Sequence, residues 1–547
     1  MDTSNLHTVP DVFMAAFAQY KDKPAFTCLG KTLTYGDIDR YSEQFASYLQ
    51  NHTSLQPGDR VAVQLANVLQ YPVCMFGILR AGMVLVNTNP LYTEREVQHQ
   101  LTDSGAKALV VMANLADTAS RIIQNTNVEQ VIVTEAADLH GFPKGPIINF
   151  VAKHIKKMVP EFSFPNQIDF KKALKLGAAK ASVLSAAQPS DVAVLQYTGG
   201  TTGVAKGAML MHSNIVSNMK QMDDRVGAGT EEGAETFVAP LPLYHIYAFT
   251  THCMMLLATG NHSILIPNPR DLDSVVSALK PFQITGFVGL NTLFNGLCHH
   301  EGFKALDFSK LKTTASGGMA LTTDVGELWQ RVTGCQASEG YGMTETSPVI
   351  STNPVDDIRV GTVGTPVIDT EVKLVDEEGK PVPLGESGEL LVRGPQVMKG
   401  YWQRPEATAE ILSEDGWLNT GDMAVLCEDN YIKIVDRKKD MIIVSGFNVY
   451  PNEIEDVVSK HPDIIEAASI GIEDTKTGEA VKLFVVSSNP ALTGEEVIAF
   501  CRKELTAYKV PRVIEFRDDL PKSNVGKILR RELKDEEKAK ATSKDAA

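Results

Sequence analysis

The sequence predicts an α/β protein, with a large N-terminal domain of βαβ-built parallel sheets, a β-rich subdomain and a small α+β C-terminal domain. Short apolar runs alternate with helical patterns from residue 58 to residue 290, which is βαβ rhythm. After residue 360 the texture changes to short strands separated by glycine turns. At 547 residues the chain is too long for a single hydrophobic core.

In order along the chain, "RVAVQLA" reads as a strand, Tyr71 to Arg80 as a helix, and "GMVLVN", "KALVVM" and "VEQVIVT" as further strands. The rhythm resumes with the strands "DVAVLQYT" and "TFVAPLPL" and a helix around "IYAFTTHCMMLLATG". It continues with the strand "HSILIP", the helix "DLDSVVSALK" and the strand "ITGFVGL". Residues 139 to 190 are poorer in strand signal and rich in lysine. There, "IINFVAKHIKKMV" predicts Ile148, Val151 and Met158 on one helix face with Lys153, Lys156 and Lys157 largely on others, the pattern of an interfacial amphipathic helix. A plain solvated helix reads the same way.

Past residue 360, "EVKLVDEEGKPVPLGESGELLVRG" predicts antiparallel strands. Charged residues crowd between two apolar strands at 436 to 440, which places a domain boundary there. The expected division is 1–436 for the large domain, with 360–436 as its β-rich part, and 440–535 for the small one. The charged tail 536–547 is expected to fray.

Composition narrows the function. Hydrophobic residues at 43% and charged residues at 22% are ordinary for a soluble globular protein. A formal net charge of -15 repels a phosphate backbone, so no nucleic-acid partner is expected. Seven scattered cysteines with no CxxC pair suit reduced thiols. The start "MDTSNLHTVPDVF" lacks a basic region leading into an apolar one, so a cytoplasmic location is expected. Apolar stretches such as "YPVCMFGILRAGMVLVN" carry Arg80 and are too short to span a bilayer.

The stretch "YTGGTTGVAKGAML" (197–210) gathers glycines and threonines around one lysine and follows a predicted strand. Bare glycine backbone, hydroxyls and an ammonium group together suit a polyphosphate cradle. It is not a Walker loop, GxxxxGK(S/T), because Val204 and Ala205 separate Gly203 from Lys206 and Gly207 follows the lysine. Adjacent residues diverge on a helix, so Cys298, His299 and His300 in "CHHEG" are not expected to share a metal.

Four further stretches lie downstream: "TASGGMAL" (314–321), "EGYGMTETSP" (339–348), "DGWLNTGDMAVLCEDNYIKIVDRKKDMIIVSGFNVYPNEIE" (415–455) and "LPKSNVGKILRREL" (520–533). With the glycine-rich loop, in this order, they resemble the adenylate-forming superfamily of acyl-CoA synthetases, firefly luciferases and adenylation domains. "LPLYHI" and "GPQVMKGYWQRP" add similarity to bacterial long-chain fatty acyl-CoA synthetases.

The resemblance implies an N-terminal AMP-binding domain, a hinge at 437–439 and a C-terminal lid. It implies activation of a long- or medium-chain fatty acid by ATP to an acyl-adenylate, then transfer to coenzyme A, with Mg2+ as cofactor. Thr198, Gly199, Gly200, Thr201, Thr202, Gly203 and Lys206 would cradle phosphates, and Thr198 and Glu345 would hold the metal. Thr344 would donate to the α-phosphate, while Gly317, Gly318, Gly340, Tyr341 and Gly342 would form the adenine pocket. Asp422 would accept from the ribose hydroxyls, and Arg437 would donate to the ribose or α-phosphate region. Lys527 would be the catalytic lysine of adenylation and His245 would gate the acyl pocket. Lys439 would be the pivot, and Gly446 would let pantetheine pass close to backbone.

The loop opens TGG rather than the more usual TSG, and Asn419 stands where related enzymes commonly have histidine. The segments "GFVGLNTLFNGL" and "TTASGGMALTT" are expected to line an apolar tunnel. Because a fatty acid partitions into bilayers, contact of the basic 150–180 segment with an anionic membrane face is also expected. A homodimer is left open. Alternatives are an aryl-CoA or other acid–thiol ligase of the superfamily, or a non-catalytic nucleotide- or lipid-binding sensor. The intact set Thr198, Lys206, Glu345, Asp422, Arg437 and Lys527 argues against the sensor.

Overall fold

The computed structural model of the chain describes residues 3–198, 205–474, 476–523 and 526–545. Among the described residues the strands form sheets of nine, seven, four and five strands. The two largest are mainly parallel, as the βαβ rhythm predicts. Their inner strands, such as Val84–Asn87 and Ala108–Met112, are buried along their whole length because helices cover both faces.

In the nine-stranded sheet, Thr236–Ala239, Gly286–Gly289, Thr313–Ser316 and Ala337–Gly342 are adjacent and parallel. Parallel strands send all their C-terminal ends to one edge, where α/β proteins bind ligands. The segments after these strands carry His245, Asn291, Gly317 and Thr344 respectively, and all four residues line one cleft. The seven-stranded sheet brings Val192–Thr198 to the same cleft, with Lys206–Met211 antiparallel beside it.

The four-stranded sheet is antiparallel throughout and consists of Glu371–Val375, Ser387–Arg393, Leu418–Leu426 and Ile432–Arg437. A short turn, Lys438–Asp440, follows its last strand. The next strand, Ile442–Val444, belongs to the five-stranded sheet of the small domain, whose apolar core is its own.

Two local expectations change. The terminal helix Arg530–Asp545 runs past residue 536, where fraying is expected from charge and low complexity. The charges there pair instead of repelling: Lys540 lies 3.1 Å from Glu515 and 2.8 Å from Glu537, and Arg517 lies 2.6 Å from Glu536.

In the basic segment, the helix Lys144–Phe150 runs into a π-helical turn, Val151–Ile155, where the Lys156 N–H donates to the Val151 carbonyl at 2.8 Å. The face predicted from Ile148, Val151 and Met158 is therefore split. Ile148 and Val151 are half-buried, while Ile147, Phe150, Ile155 and Met158 project outward with Phe142. An i→i+5 turn advances each side chain by less than an α-helical one, which moves the stripe around the axis. No helix among the described residues is long and apolar enough to cross a membrane.

Candidate active site

One cleft of about 3080 Å³ lies between the parallel sheets, the antiparallel sheet and the small domain. Thr198, Lys206, His245, Gly317, Gly318, Gly340, Tyr341, Gly342, Thr344, Glu345, Asp422, Arg437, Lys439 and Lys527 all line it. Gly199, Gly200, Thr201, Thr202 and Gly203 lie outside the described residues. Gly446 does not line the cleft; it sits in the exposed turn between Ile442–Val444 and Phe447–Val449.

Register explains the first pairings. Thr198 and Lys206 are opposite one another on neighbouring antiparallel strands, so the glycine-rich loop joins two strands rather than a strand and a helix. Asp422 and Arg437 are likewise opposed across Leu418–Leu426 and Ile432–Arg437, with Arg437 Nε 3.1 Å from Asp422 Oδ1. The hydroxyl of Tyr341 donates to Asp422 Oδ2 at 2.5 Å. Oδ2 of Asp422 thus already accepts from Tyr341 and Oδ1 faces the Arg437 charge, so a ribose hydroxyl at Oδ2 must use a second lone pair.

Gly342 is imposed by backbone, since a Cβ there would stand 2.1 Å from the Pro348 carbonyl oxygen. That closeness folds Thr344–Thr346 back under the strand and buries Glu345. Burial pushes the Glu345 carboxyl up, against a hydrogen bond at 2.5 Å from the Tyr401 hydroxyl to Oε1. His245 caps the helix Ile246–Ala248, accepting from the Tyr247 N–H at Nδ1. Burial, and secondarily the charge of Lys527, push His245 down to about 4, so its imidazole is neutral at physiological pH.

Lys527 arrives from the small domain on a tight loop in which the Ser523 N–H donates to the Lys527 carbonyl at 2.7 Å. At Gly526, φ is +79°, and a Cβ would meet Thr292 Oγ1 of the large domain at 3.1 Å. The loop is thus seated against the large domain with Lys527 inside the cleft. Lys527 keeps access to solvent there, yet loss of hydration, then the charge of Arg437, push its ammonium down to about 8.

Residues 13–402 match the AMP-binding enzyme family, and residues 453–527 match the AMP-binding enzyme C-terminal domain. The chain belongs to the AMP-binding enzyme family. This AMP-binding enzyme is 51% identical over 535 residues to the long-chain-fatty-acid–CoA ligase of Escherichia coli O6:H1, covering 98% of this chain and 95% of that one. It is 39% identical to the ligase of the same name in Bacillus subtilis, covering 97% and 94%, and 33% identical to the feruloyl-CoA synthase of an Amycolatopsis species, covering 92% and 94%.

Among solved structures, an anthranilate CoA ligase in complex with anthranoyl-AMP superposes with a TM-score of 0.88 at 26% identity, covering 99% of this chain and all of that one. ATP-bound MatB from Rhodopseudomonas palustris superposes with a TM-score of 0.79 at 28% identity, covering 96% and 98%. The fold class and family expected from the motifs are both borne out.

Some residues of this AMP-binding enzyme escaped sequence reasoning. Tyr401 lies in the motif "GPQVMKGYWQRP", which marked the family but assigned no role. Glu339 lines the cleft, and burial pushes its carboxyl up to about 8, so at neutral pH it is largely a protonated acid. It opens the motif "EGYGMTETSP", which marked the family but assigned it no role.

Proposed function

We propose that this enzyme activates long- or medium-chain fatty acids to acyl-CoA thioesters. The observation that carries the reading is the seating of Lys527 in a cleft that Asp422, Arg437 and Tyr341 also line. The 51% identity to long-chain-fatty-acid–CoA ligases supports the acyl substrate.

In the first step a carboxylate oxygen attacks the α-phosphorus of ATP and pyrophosphate leaves. Asp422 orients the ribose, Arg437 and Lys527 bring positive charge to the reacting phosphate, and Thr344 donates its hydroxyl there. Neutral His245 flanks the carboxylate without adding charge. Glu345, a buried hard oxygen donor, with Thr198 fits Mg2+, which would neutralise charge on the phosphate oxygens. In the second step the coenzyme A sulfur attacks the acyl carbonyl carbon, the acyl–phosphate bond breaks and AMP leaves. Ser445, Gly446 and Phe447 are exposed on the small domain, available to replace Lys527 when the lid pivots at Lys439.

The acyl chain has an apolar path along Met222, Val226, Leu241, Pro242, Ile246 and Val349, all in the cleft wall. The segment "GFVGLNTLFNGL" divides its labour. Leu290, Thr292, Asn295 and Gly296 face the cleft, while Phe287, Phe294 and Leu297 pack in the core with Trp329.

Pyrophosphate release and thioester formation across a series of acyl lengths and aryl acids test the reading. Long and medium acids are expected to outpace aryl acids; the reverse order makes the enzyme an aryl-CoA ligase.

A membrane face as the site of supply is favoured by the outward ridge of Phe142, Ile147, Phe150, Ile155 and Met158, flanked by the exposed Lys144, Lys153, Lys156 and Lys157. Sedimentation with anionic liposomes at low salt is expected for the native chain and lost in Ile147→Asp/Phe150→Asp. Failure of the native chain to sediment removes the membrane from the reading.

A further inference from the structure

Glu345 and Lys206, the carboxylate and ammonium group assigned above to metal and phosphate, come from different parts of the fold: Lys206 opens a strand of the seven-stranded sheet, and Glu345 lies in the turn that follows a strand of the nine-stranded one. A single side chain touches both. Tyr401 is buried, lines the cleft, donates its hydroxyl to Glu345 Oε1 at 2.5 Å and turns its ring toward Lys206, whose Nζ lies 5.1 Å from the ring centroid.

Its backbone is fastened to both partners. The Trp402 N–H donates to the Gly207 carbonyl at 2.8 Å and the Met209 N–H to the Gly400 carbonyl at 2.9 Å, so this segment runs along the strand that Lys206 begins. On the other side the Met398 N–H donates to the Glu345 carbonyl at 2.8 Å.

The chemistry of the contact is informative. The partner of the Glu345 carboxylate is a neutral phenol rather than a cation, so the carboxylate is aimed without having its charge cancelled. Lys206 likewise meets a π face rather than a counter-ion at this contact, which attracts the ammonium but leaves its formal charge for a polyphosphate. A tyrosine supplies both contacts at once, and among aromatic side chains only its ring carries a hydroxyl.

We propose that Tyr401 is a positioning residue that sets the Glu345 carboxylate and the Lys206 ammonium group in register for one metal-bound nucleotide. The inference rests on the assignment of Glu345 as the metal carboxylate, and its test separates the two. Binding of Mn2+ to the enzyme–ATP complex is measured by electron paramagnetic resonance for the native chain, Tyr401→Phe, Tyr401→Leu and Glu345→Gln. Thioester formation from supplied acyl-adenylate serves as the check on folding.

Tyr401→Phe keeps the ring and removes the hydroxyl. It is expected to weaken Mn2+ binding by roughly tenfold, the scale of one hydrogen bond to a charged group, with the thioester step within about twofold of native. Tyr401→Leu also removes the ring and is expected to raise the KM for ATP in a way that excess Mg2+ does not rescue.

Native Mn2+ binding in Tyr401→Phe alongside its loss in Glu345→Gln overturns the positioning role and leaves the metal assignment standing. Native binding in both overturns the metal assignment, and this inference with it. Loss of the thioester step in Tyr401→Phe to the same extent as metal binding also overturns it, because Tyr401 would then be a general packing residue.

Discussion

Arg530 Nη1 lies 3.4 Å from Oδ1 of Asp436, and this pair ties the small domain to the last strand of the large one, one residue before Arg437. Asp436 is fully buried, and Arg530 also donates to Glu455 Oε2 and to Asn452 Oδ1, both at 2.6 Å. The Asn452 N–H closes the network by donating to Asp436 Oδ2 at 2.8 Å. Lys527 is three residues before Arg530, so the network sits where the small domain's Lys527 loop and the proposed hinge converge.

Arg530→Ala leaves Asp436 and Glu455 as unpaired carboxylates. Breaking a buried ion pair costs about 3 kcal/mol, expected here as a shift in the denaturant midpoint. The variant is also expected to slow adenylation more than thioester formation from acyl-adenylate. Equal slowing of both steps would detach the network from lid placement.

Lys527→Ala is expected to lose adenylation by roughly a hundredfold or more, the contribution of one well-aimed charged donor at a reacting phosphate. Thioester formation from supplied acyl-adenylate should stay near native. Pyrophosphate release and thioester formation, measured separately, decide it; equal damage to both steps refutes the assignment.

The ammonium of Lys527 is held down to about 8 in the cleft by loss of hydration and by the charge of Arg437. Adenylation needs the charged form, so kcat/KM, which reports the free enzyme, should fall as pH rises through about 8. Saturating ATP, which adds negative charge, should move that limb upward in kcat. The unfolded lysine holds its proton to higher pH, so this group favours the folded state increasingly as pH rises from about 8 toward its ordinary value of 10.5. Lys527→Arg should abolish the alkaline limb; a limb unchanged in that variant assigns it to another group.

Tyr341→Phe removes the hydroxyl that donates to Asp422 while keeping the ring in the cleft wall. Asp422 then loses one of its two orienting contacts. The expected result is a KM for ATP raised by roughly tenfold, from one hydrogen bond to a charged acceptor, with kcat within about threefold of native. A KM at the native value would show that Arg437 alone orients the carboxylate.

Most of the cleft was legible because its chemistry is local. Residue type and spacing at 197–210 and in the Gly340–Glu345 turn mark segments whose described members Thr198, Lys206, Gly340, Tyr341, Thr344 and Glu345 all line the cleft. Tyr401 was not legible as a partner of Glu345, because the contact spans 56 residues and two chain segments whose adjacency no periodicity encodes. The Arg530–Asp436 contact spans 94 residues, and a basic residue in "KILRREL" reads equally well as a solvated helix face. The outward ridge was misplaced around its helix because a hydrophobic wheel assumes α geometry throughout, and Val151–Ile155 winds more widely.

The sequence by itself determined which elements form, that they build parallel sheets, and which short motifs line the cleft, since alternation, helical period and glycine placement act over a few residues. Tertiary packing decided that the small domain seats Lys527 in the cleft, that Asp422 is shared between Arg437 and Tyr341, and that one tyrosine spans two charged groups. Those outcomes depend on distances between segments far apart in the chain, which burial and strand register set only once the whole fold has closed.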